Sequence, residues 1–169
     1  MSDVFLSYSR KDCDIARALS AALESEGYSV ANDSKLSPGD NFSDSLERTL
    51  SDARAVIVFW SPASTKSAWV REEASYAREQ GKLLPITTVP PSDVPIGFTH
   101  LSAISLKNEA DLNSDQTKQR IIEAVKSMIQ KSKSTGKSKT EEEEQDIFET
   151  LNSLKERLES KSEWQSKTG

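Results

Sequence analysis

The sequence predicts an α/β fold in which a five-stranded parallel sheet is covered by helices on both faces. Short apolar runs alternate along residues 1–130 with stretches whose apolar residues recur at helical spacing. The run at residues 55–60 is apolar throughout, which is typical of a strand that is buried on both faces. Because strands that alternate with helices form parallel sheets, we expect the strand order 2-1-3-4-5.

Each element has its own signal in the sequence. The expected strands are residues 4–6, 28–32, 55–60, 83–86 and 103–106. Helical spacing falls within residues 15–23, 42–53, 67–80 and 121–129. Gly27 and Gly81 are expected to end the first and third helices, and Asn41 to cap the second. Pro85 lies near the middle of the fourth strand and predicts an unusual or edge-like ladder there, since proline donates no backbone hydrogen bond.

The strand order 2-1-3-4-5 is that of a flavodoxin-like three-layer fold, which binds ligands where the order reverses at the carboxyl ends of the strands. Here that point lies between the first and third strands, so residues 7–12 and 61–73 should line the crevice. Trp69 and Glu73 are four residues apart on one face of the third helix, which places an indole and a carboxylate near this crevice. Glu72 is about 100 degrees away around that helix and is expected to face solvent.

The last forty residues differ in composition from the rest. Residues 132–139 are rich in Ser and Lys and predict a flexible linker. Residues 140–165 predict an amphipathic helix whose apolar positions are Ile147, Leu151, Leu154 and Leu158. About two heptads do not make a coiled coil persuasive, so this helix serves either oligomerisation or the connection to a further domain. The predicted globular domain is residues 1–131.

Composition excludes several classes of protein. One cysteine and one histidine provide neither a disulfide framework nor a metal site. A net charge of -5, spread over both parts of the chain, argues against nucleic acid as a partner. No apolar stretch approaches the roughly 18 residues of a membrane span, and no basic leader precedes the first strand. A cytoplasmic protein without membrane association is therefore expected.

Missing motifs exclude further chemistries. The sequence contains no Gly-x-Gly-x-x-Gly and no Walker loop. A receiver domain needs carboxylates at the ends of strands one and three, where this chain has Ser7-Tyr8-Ser9 and Trp60-Ser61-Pro62. His100 has no acidic residue near it in sequence, and Cys13 has no second cysteine or placed base, so both are expected to be ordinary loop and helix residues.

Four segments together resemble a Toll/interleukin-1 receptor (TIR) domain of the bacterial kind, over about residues 1–130. The segments are Val4–Asp12, Leu36–Phe42, Ser61-Pro62 and Ser67–Glu73. The resemblance implies that the long loop after strand two mediates contacts between TIR domains through Leu36, Pro38, Gly39 and Asp40. It also implies that Glu73 matches the catalytic glutamate of TIR domains that cleave NAD+.

The chemistry of those enzymes suits a site with one carboxylate. In NAD+ the nicotinamide is already a cationic leaving group, so no general acid has to expel it. A single carboxylate can accept hydrogen bonds from the ribose and stabilise the positive charge that develops there. The resemblance implies this role for Glu73, with Trp69 shaping an apolar wall beside it.

Other substrate-binding positions carry over from the family with departures. The implied residues are Ser9, Arg10, Ser34 and Lys35. Ser9 stands where the NAD-cleaving animal relatives have the first of two arginines, which leaves one cation, Arg10, for a phosphate. Lys35 is equally well explained as an ordinary loop lysine. Ala31 replaces an aromatic residue that bacterial relatives carry at the end of strand two.

The expected function is that of an NAD+ glycohydrolase that gives ADP-ribose or a cyclic variant, with NAD+ as substrate and no cofactor. The resemblance implies a site completed between two protomers, hence a homo-oligomer when active, in bacterial antiphage defence or in a host cell into which the protein is delivered. The alternative is a non-catalytic module that binds other TIR domains as an adaptor or a mimic of host signalling. A third possibility is a flavodoxin-like domain in which Trp69 anchors the core and Glu73 is a surface charge.

Overall fold

The structure, a computed structural model, describes residues 2–32 and 42–132, of which residues 42–46 are described by their backbone alone. The chain divides into two units, residues 1–130 and residues 131–169, and the first unit contains the sheet. The predicted helix at 140–165 and most of the predicted linker at 132–139 lie outside the described residues, so the predicted domain boundaries stay a prediction.

Five parallel strands form one sheet in the order β2-β1-β3-β4-β5. The strands are β1 (Val4–Ser7), β2 (Val30–Ala31), β3 (Ala55–Trp60), β4 (Leu83–Thr87) and β5 (Ile104–Ser105). The helices are α1 (Cys13–Ser25), α2 (Phe42–Asp52), α3 (Ala68–Glu79) and α4, over residues 115–132. The predicted flavodoxin-like fold is confirmed. Strands β2 and β5 are shorter than predicted, because each is an edge strand that pairs with its one neighbour over two residues.

Strand β4 has an uneven environment that explains its proline. It pairs with β3 over its full length, and Pro85 is opposite Val58. Pairing with β5 begins only at Ile86. At Pro85 the strand therefore has β3 as its one paired neighbour among the described strands, and it is locally an edge although it lies inside the sheet. This is the position at which a missing backbone donor costs least.

Strand β3 divides the core into two layers, because successive side chains point to opposite faces of the sheet. Ala55, Ile57 and Phe59 pack with buried residues of α1 and α4. Val56, Val58 and Trp60 pack on the other face with buried residues of α2 and α3. All six side chains are fully buried, as the unbroken apolar run predicts. Burying each larger side chain contributes about 1.5–3 kcal/mol, so the centre of the sheet is a stable base for the loops at its carboxyl edge.

The C-terminal end of α2 is held by Lys82, which lies just before β4. Its Nζ donates to the backbone carbonyl oxygens of Leu50, Ser51 and Ala53, at 2.6, 3.0 and 2.9 Å. These carbonyls have no partner within the helix, and a cation placed there also meets the negative end of the helix dipole. Burial lowers the pKa of Lys82. The contact fixes the end of the helix that follows residues 33–41.

The loop between β4 and β5 is held by Arg78 of α3. The guanidinium Nη1 of Arg78 donates to the Gly97 carbonyl at 2.8 Å, and its central carbon lies 5.0 Å from the centre of the Phe98 ring. Phe98 in turn packs on Trp60 at 5.3 Å between ring centres. Ile96 is fully exposed, and His100 is also exposed. The proline-rich loop is thus attached to the α3 side of the sheet.

Candidate active site

Helix α3 begins where the sequence predicts. Ser67 has extended backbone angles, and its side chain accepts a hydrogen bond from the Val70 amide at 3.3 Å, which caps the helix. From this start, positions 70, 73, 74 and 77 fall on one face, and that face is buried. The cap fixes where the helix starts, and the packing of this face on the sheet turns Glu73 inward among Val70, Ala74 and Ala77, while Glu72 is exposed.

Glu73 is a buried carboxyl group with a partner on the neighbouring strand. Its side chain is 3% exposed, and that of Ser7, at the end of β1, is 1% exposed. The Ser7 hydroxyl donates a hydrogen bond to Glu73 Oε2 across 66 residues of sequence. Removing a carboxylate from water is costly unless hydrogen bonds compensate it. The hypothesis that Glu73 is merely a surface charge is therefore wrong.

Two loops meet beside this pair, at the point where the strand order reverses. We call residues 8–12 the β1 loop and residues 61–67 the β3 loop. The Ser61 hydroxyl donates to Asp12 Oδ2 at 2.6 Å and so joins the two loops. Asp12, Ser61 and Ser64 are all buried. The crevice predicted from the strand order is thus bordered by buried polar groups that hydrogen-bond to one another.

Residues 4–122 match the family model of the TIR domain. This chain is a member of the TIR domain family. The predicted resemblance is confirmed at the level of the family. Among the described residues of this TIR domain, no helix is both long enough and apolar enough to cross a bilayer.

Several solved TIR structures are similar to this one. The TIR domain of the Toll-related receptor TRR-2 from Hydra magnipapillata is 18% identical, with a TM-score of 0.65, over 75% of this chain and 99% of that one. The TIR domains of the activated Roq1 resistosome, which recognises the pathogen effector XopQ, are 20% identical, with a TM-score of 0.60, over 74% and 99%. At these identities both show the fold alone. No curated protein matches this chain.

A third similar structure is the TIR-STING receptor of C. gigas in complex with 2′,3′-cGAMP. It is 26% identical, with a TM-score of 0.59, over 74% of this chain. The match covers 39% of the receptor, so this chain spans well under half of its length. The likeness concerns the TIR domain of a longer protein.

The β1 loop of this TIR domain presents the predicted substrate residues Ser9 and Arg10. Ser9 precedes the 3-10 turn Arg10–Asp12, and its hydroxyl accepts from the Lys11 amide at 3.4 Å. Ser9 is half-buried and Arg10 is exposed. Cys13 donates its thiol hydrogen to the Arg10 carbonyl at 2.8 Å, which ties the turn to the start of α1. Arg10 is therefore fixed by its backbone while its guanidinium can reach solvent.

Trp69 packs against the core. It is half-buried and lies against the cluster that contains Phe5, Leu50 and Val56. Ala31, the position where the sequence departs from bacterial relatives, contacts the same cluster. The indole thus has the packing of an anchor for α3, and it lies one helical turn before Glu73. Its predicted role as an apolar wall beside the substrate stays a prediction.

Six predicted residues lie outside the part of the chain that the structure describes. They are Ser34 and Lys35 of the substrate-binding set and Leu36, Pro38, Gly39 and Asp40 of the protein-interaction loop. The structure brings Glu73 to Ser7 at the carboxyl end of β1, where the strand order predicts the crevice, and Ser9 and Arg10 lie in the loop that follows this strand. No group of three or more His, Cys, Asp or Glu residues within 2–32 and 42–132 could hold a metal ion.

Sequence reasoning missed the roles of three polar residues. Ser7, Asp12 and Ser61 lay within the predicted crevice segments, but nothing assigned them a contact. The available signal was a hydroxyl placed directly after a fully apolar run, at positions 7 and 61, because such a residue is buried with its strand and must find a partner. Which partner it finds depends on how the strands are paired.

Proposed function

We propose that this TIR domain cleaves NAD+ at the bond between ribose and nicotinamide. The observation that carries the proposal is the burial of Glu73, 3% exposed and hydrogen-bonded to Ser7, at the carboxyl edge of the sheet. A helix rarely buries a carboxylate without a reason, since the cost of desolvation must be met by partners. Buried ionisable groups of this kind are typical of ligand-binding and catalytic sites.

The reaction needs what Glu73 provides. When the carbon–nitrogen bond breaks, its electron pair moves to the pyridinium nitrogen, so nicotinamide leaves as a neutral molecule and positive charge develops on the ribose. A carboxylate held in a site shielded from water stabilises that charge and can accept hydrogen bonds from the ribose hydroxyls. Water then adds to the ribose and loses a proton to give ADP-ribose, or a nitrogen of the adenine adds to give a cyclic product.

A second catalytic acid is not needed for this substrate. Hydrolysis of an ordinary glycoside uses two carboxyl groups, one of which protonates the leaving group. Asp12 is the other buried carboxyl group that the structure describes in the crevice, and it already accepts the Ser61 hydroxyl at 2.6 Å. We assign the reaction to Glu73 and a contact between loops to Asp12, and a site with one carboxyl group in the reaction favours a substrate whose leaving group carries its own positive charge.

The remaining substrate contacts belong to the same proposal. The exposed guanidinium of Arg10 suits a phosphate of NAD+, since arginine binds phosphate by paired hydrogen bonds. We also propose that Ser9, Ser34 and Lys35 bind the nucleotide and that Trp69 forms an apolar wall beside it. NAD+ is the substrate, and no separate cofactor takes part.

The active form is proposed to be a homo-oligomer in which Leu36, Pro38, Gly39 and Asp40 of one protomer contact the next. We place the activity in the cytoplasm, in bacterial immunity or in a host cell.

The decisive experiment compares two neighbouring glutamates. Purified protein is incubated with NAD+ at increasing protein concentration, and nicotinamide and the second product are identified by mass. Glu73→Gln should lower kcat/KM by about a hundredfold or more, because it removes the charge that stabilises the transition state. Glu72→Gln, the same change at the adjacent exposed position, should stay within about twofold of wild type, as surface changes usually do.

Each outcome decides the proposal. Equal turnover by wild type and Glu73→Gln removes Glu73 from the reaction. A rate that rises more steeply than protein concentration supports assembly, whereas a strictly proportional rate from a protein that is monomeric at the same concentrations excludes it. A wild-type protein that leaves NAD+ intact even when clustered overturns the enzymatic function. The adaptor alternative would then be supported by capture of another TIR domain that is lost on Pro38→His.

A further inference from the structure

Asp12 stands at the position that caps helix α1, but its side chain bonds to the other crevice loop instead. It occupies the residue before α1, the position where aspartate commonly accepts hydrogen bonds from the first amides of a helix. Within the described structure its side chain makes no such bond. It is 6% exposed, and its carboxylate accepts the Ser61 hydroxyl from the other crevice loop. A buried carboxylate that gives up its local role for a contact 49 residues away indicates a link between the loops.

The Ser61 hydroxyl, on the other side of this link, makes three hydrogen bonds. Ser61 Oγ accepts from the amides of Ala63 and Ser64, at 3.2 and 3.0 Å, and donates its one hydrogen to Asp12. Ser64 is locked in turn, because its hydroxyl donates to the Phe59 carbonyl at 2.6 Å and accepts from the Ser61 amide at 2.7 Å. Residues 61–64 of the β3 loop therefore form a preformed turn, and the hydroxyl hydrogen of Ser61 is directed at Asp12.

The two loops carry different parts of the proposed site. The β1 loop carries Ser9 and Arg10, three and two residues before Asp12. The β3 loop ends at Ser67, which caps the helix that carries Glu73. A contact between Asp12 and Ser61 consequently fixes the spacing between the substrate-binding cation and the catalytic carboxylate, without itself touching the substrate.

We propose that Asp12 is a positioning residue, which acts through Ser61 to hold the β1 loop against the β3 loop in the arrangement that binds the nucleotide. The proposal rests on the proposed function for its effect on NAD+, but the coupling of the loops can be tested without turnover. Loss of the contact should release the 3-10 turn and Arg10, so that the KM for NAD+ rises more than kcat falls.

Cys13 is a natural reporter for this turn. It is the one cysteine of the chain, and its thiol donates to the Arg10 carbonyl at 2.8 Å. A thiol-reactive disulfide reagent, added under native conditions, therefore reports how often the turn opens. Ser61→Ala leaves the Asp12 charge in place and should raise the labelling rate about tenfold, the factor expected from the loss of the one hydrogen bond that joins the two loops. The other two bonds that it removes, from the amides of Ala63 and Ser64, lie within the β3 loop and do not hold the turn beside Cys13. The reagent detects the loop whether or not NAD+ is cleaved.

Matched variants separate charge from contact. Asp12→Ala removes the charge and the contact together, so it is compared with Asp12→Asn, which lacks the charge but retains an oxygen that can accept from Ser61. We expect Asp12→Ala to be labelled faster than Asp12→Asn. The double variant Asp12→Ala/Ser61→Ala should be labelled no faster than Asp12→Ala, since one contact can be lost only once. Asp3→Ala, which changes the same residue type at the opposite end of β1, should leave labelling unchanged.

The kinetic arm uses the same variants with NAD+. Ser61→Ala and Asp12→Ala should each raise KM about tenfold or more while kcat falls less, and Asp12→Asn should recover much of the loss. Unchanged Cys13 labelling in Ser61→Ala overturns the coupling of the loops. Increased labelling with an unchanged KM overturns the positioning role. A wild type that does not cleave NAD+ overturns the proposed function, and labelling alone then decides whether the link holds the turn.

Discussion

The contact between Ser7 and Glu73 yields the sharpest prediction for function. In Ser7→Ala, a carboxylate that is 3% exposed loses a donor that is itself 1% exposed, and water has little access to replace it. A hydrogen bond to a charged group is worth about 1.5–3 kcal/mol. If this bond holds Glu73 where the transition state needs it, so that the loss falls on the transition state and not equally on the free enzyme, kcat/KM for NAD+ should fall by about 10- to 150-fold, at about tenfold in rate per 1.36 kcal/mol.

The assay measures kcat/KM by nicotinamide release and the urea midpoint of unfolding for the same preparations. Thr87→Val is the control, because Thr87 is also a buried residue at the end of a strand, β4, which β3 separates from β1. Its hydroxyl is bonded to the Val89 backbone at 3.0 and 3.1 Å. It should lower the urea midpoint and leave kcat/KM within about twofold of wild type. A Ser7→Ala protein that is folded and cleaves NAD+ at the wild-type rate would refute the reasoning.

Three further predictions concern stability. Hydrogen bonds, of which the one from the Ser29 backbone amide has the largest effect, hold the pKa of Asp3 below its ordinary 3.8. The stability that Asp3 contributes is therefore present above pH 3.8 and is lost as the pH falls through the folded-state pKa. Urea unfolding at pH 7 and pH 3 should show that Asp3→Asn loses less stability on acidification than wild type does. Lys82→Met should lower the free energy of unfolding in urea by about 1–2 kcal/mol, because three carbonyl oxygens lose their donor. An unchanged urea midpoint would mean that water replaces the lysine as their donor. Gly97→Ala should destabilise the protein more than Gly27→Ala does. Both glycines have positive φ, but of these two only Gly97 would bring its new Cβ against another group, Arg78 Nη1 at 2.7 Å. Equal urea midpoints for the two variants would contradict this clash.

Local patterns predicted the elements of this TIR domain well because they report burial along one segment at a time. The apolar run at 55–60 is β3 to the residue, and α3 begins at Ala68, next to the predicted start at residue 67. Strand β2 was overestimated, since residues 28–32 have the composition of a strand but pair over two positions only. Composition cannot tell how far a strand at the edge of a sheet stays paired.

The sequence determined that this protein has a five-stranded α/β sheet, where its crevice lies, and that Trp69 and Glu73 share a helix beside it, because strand alternation and helical spacing are properties of short segments. Only the tertiary structure decided that Glu73 is buried against Ser7, that Asp12 turns from its helix to Ser61, and that Trp69 packs on the core. Ser7 and Glu73 are 66 residues apart in sequence, and Asp12 and Ser61 are 49 residues apart. Their meeting depends on the pairing of β1 with β3 and on the rotation of α3 over the sheet, which no local pattern encodes.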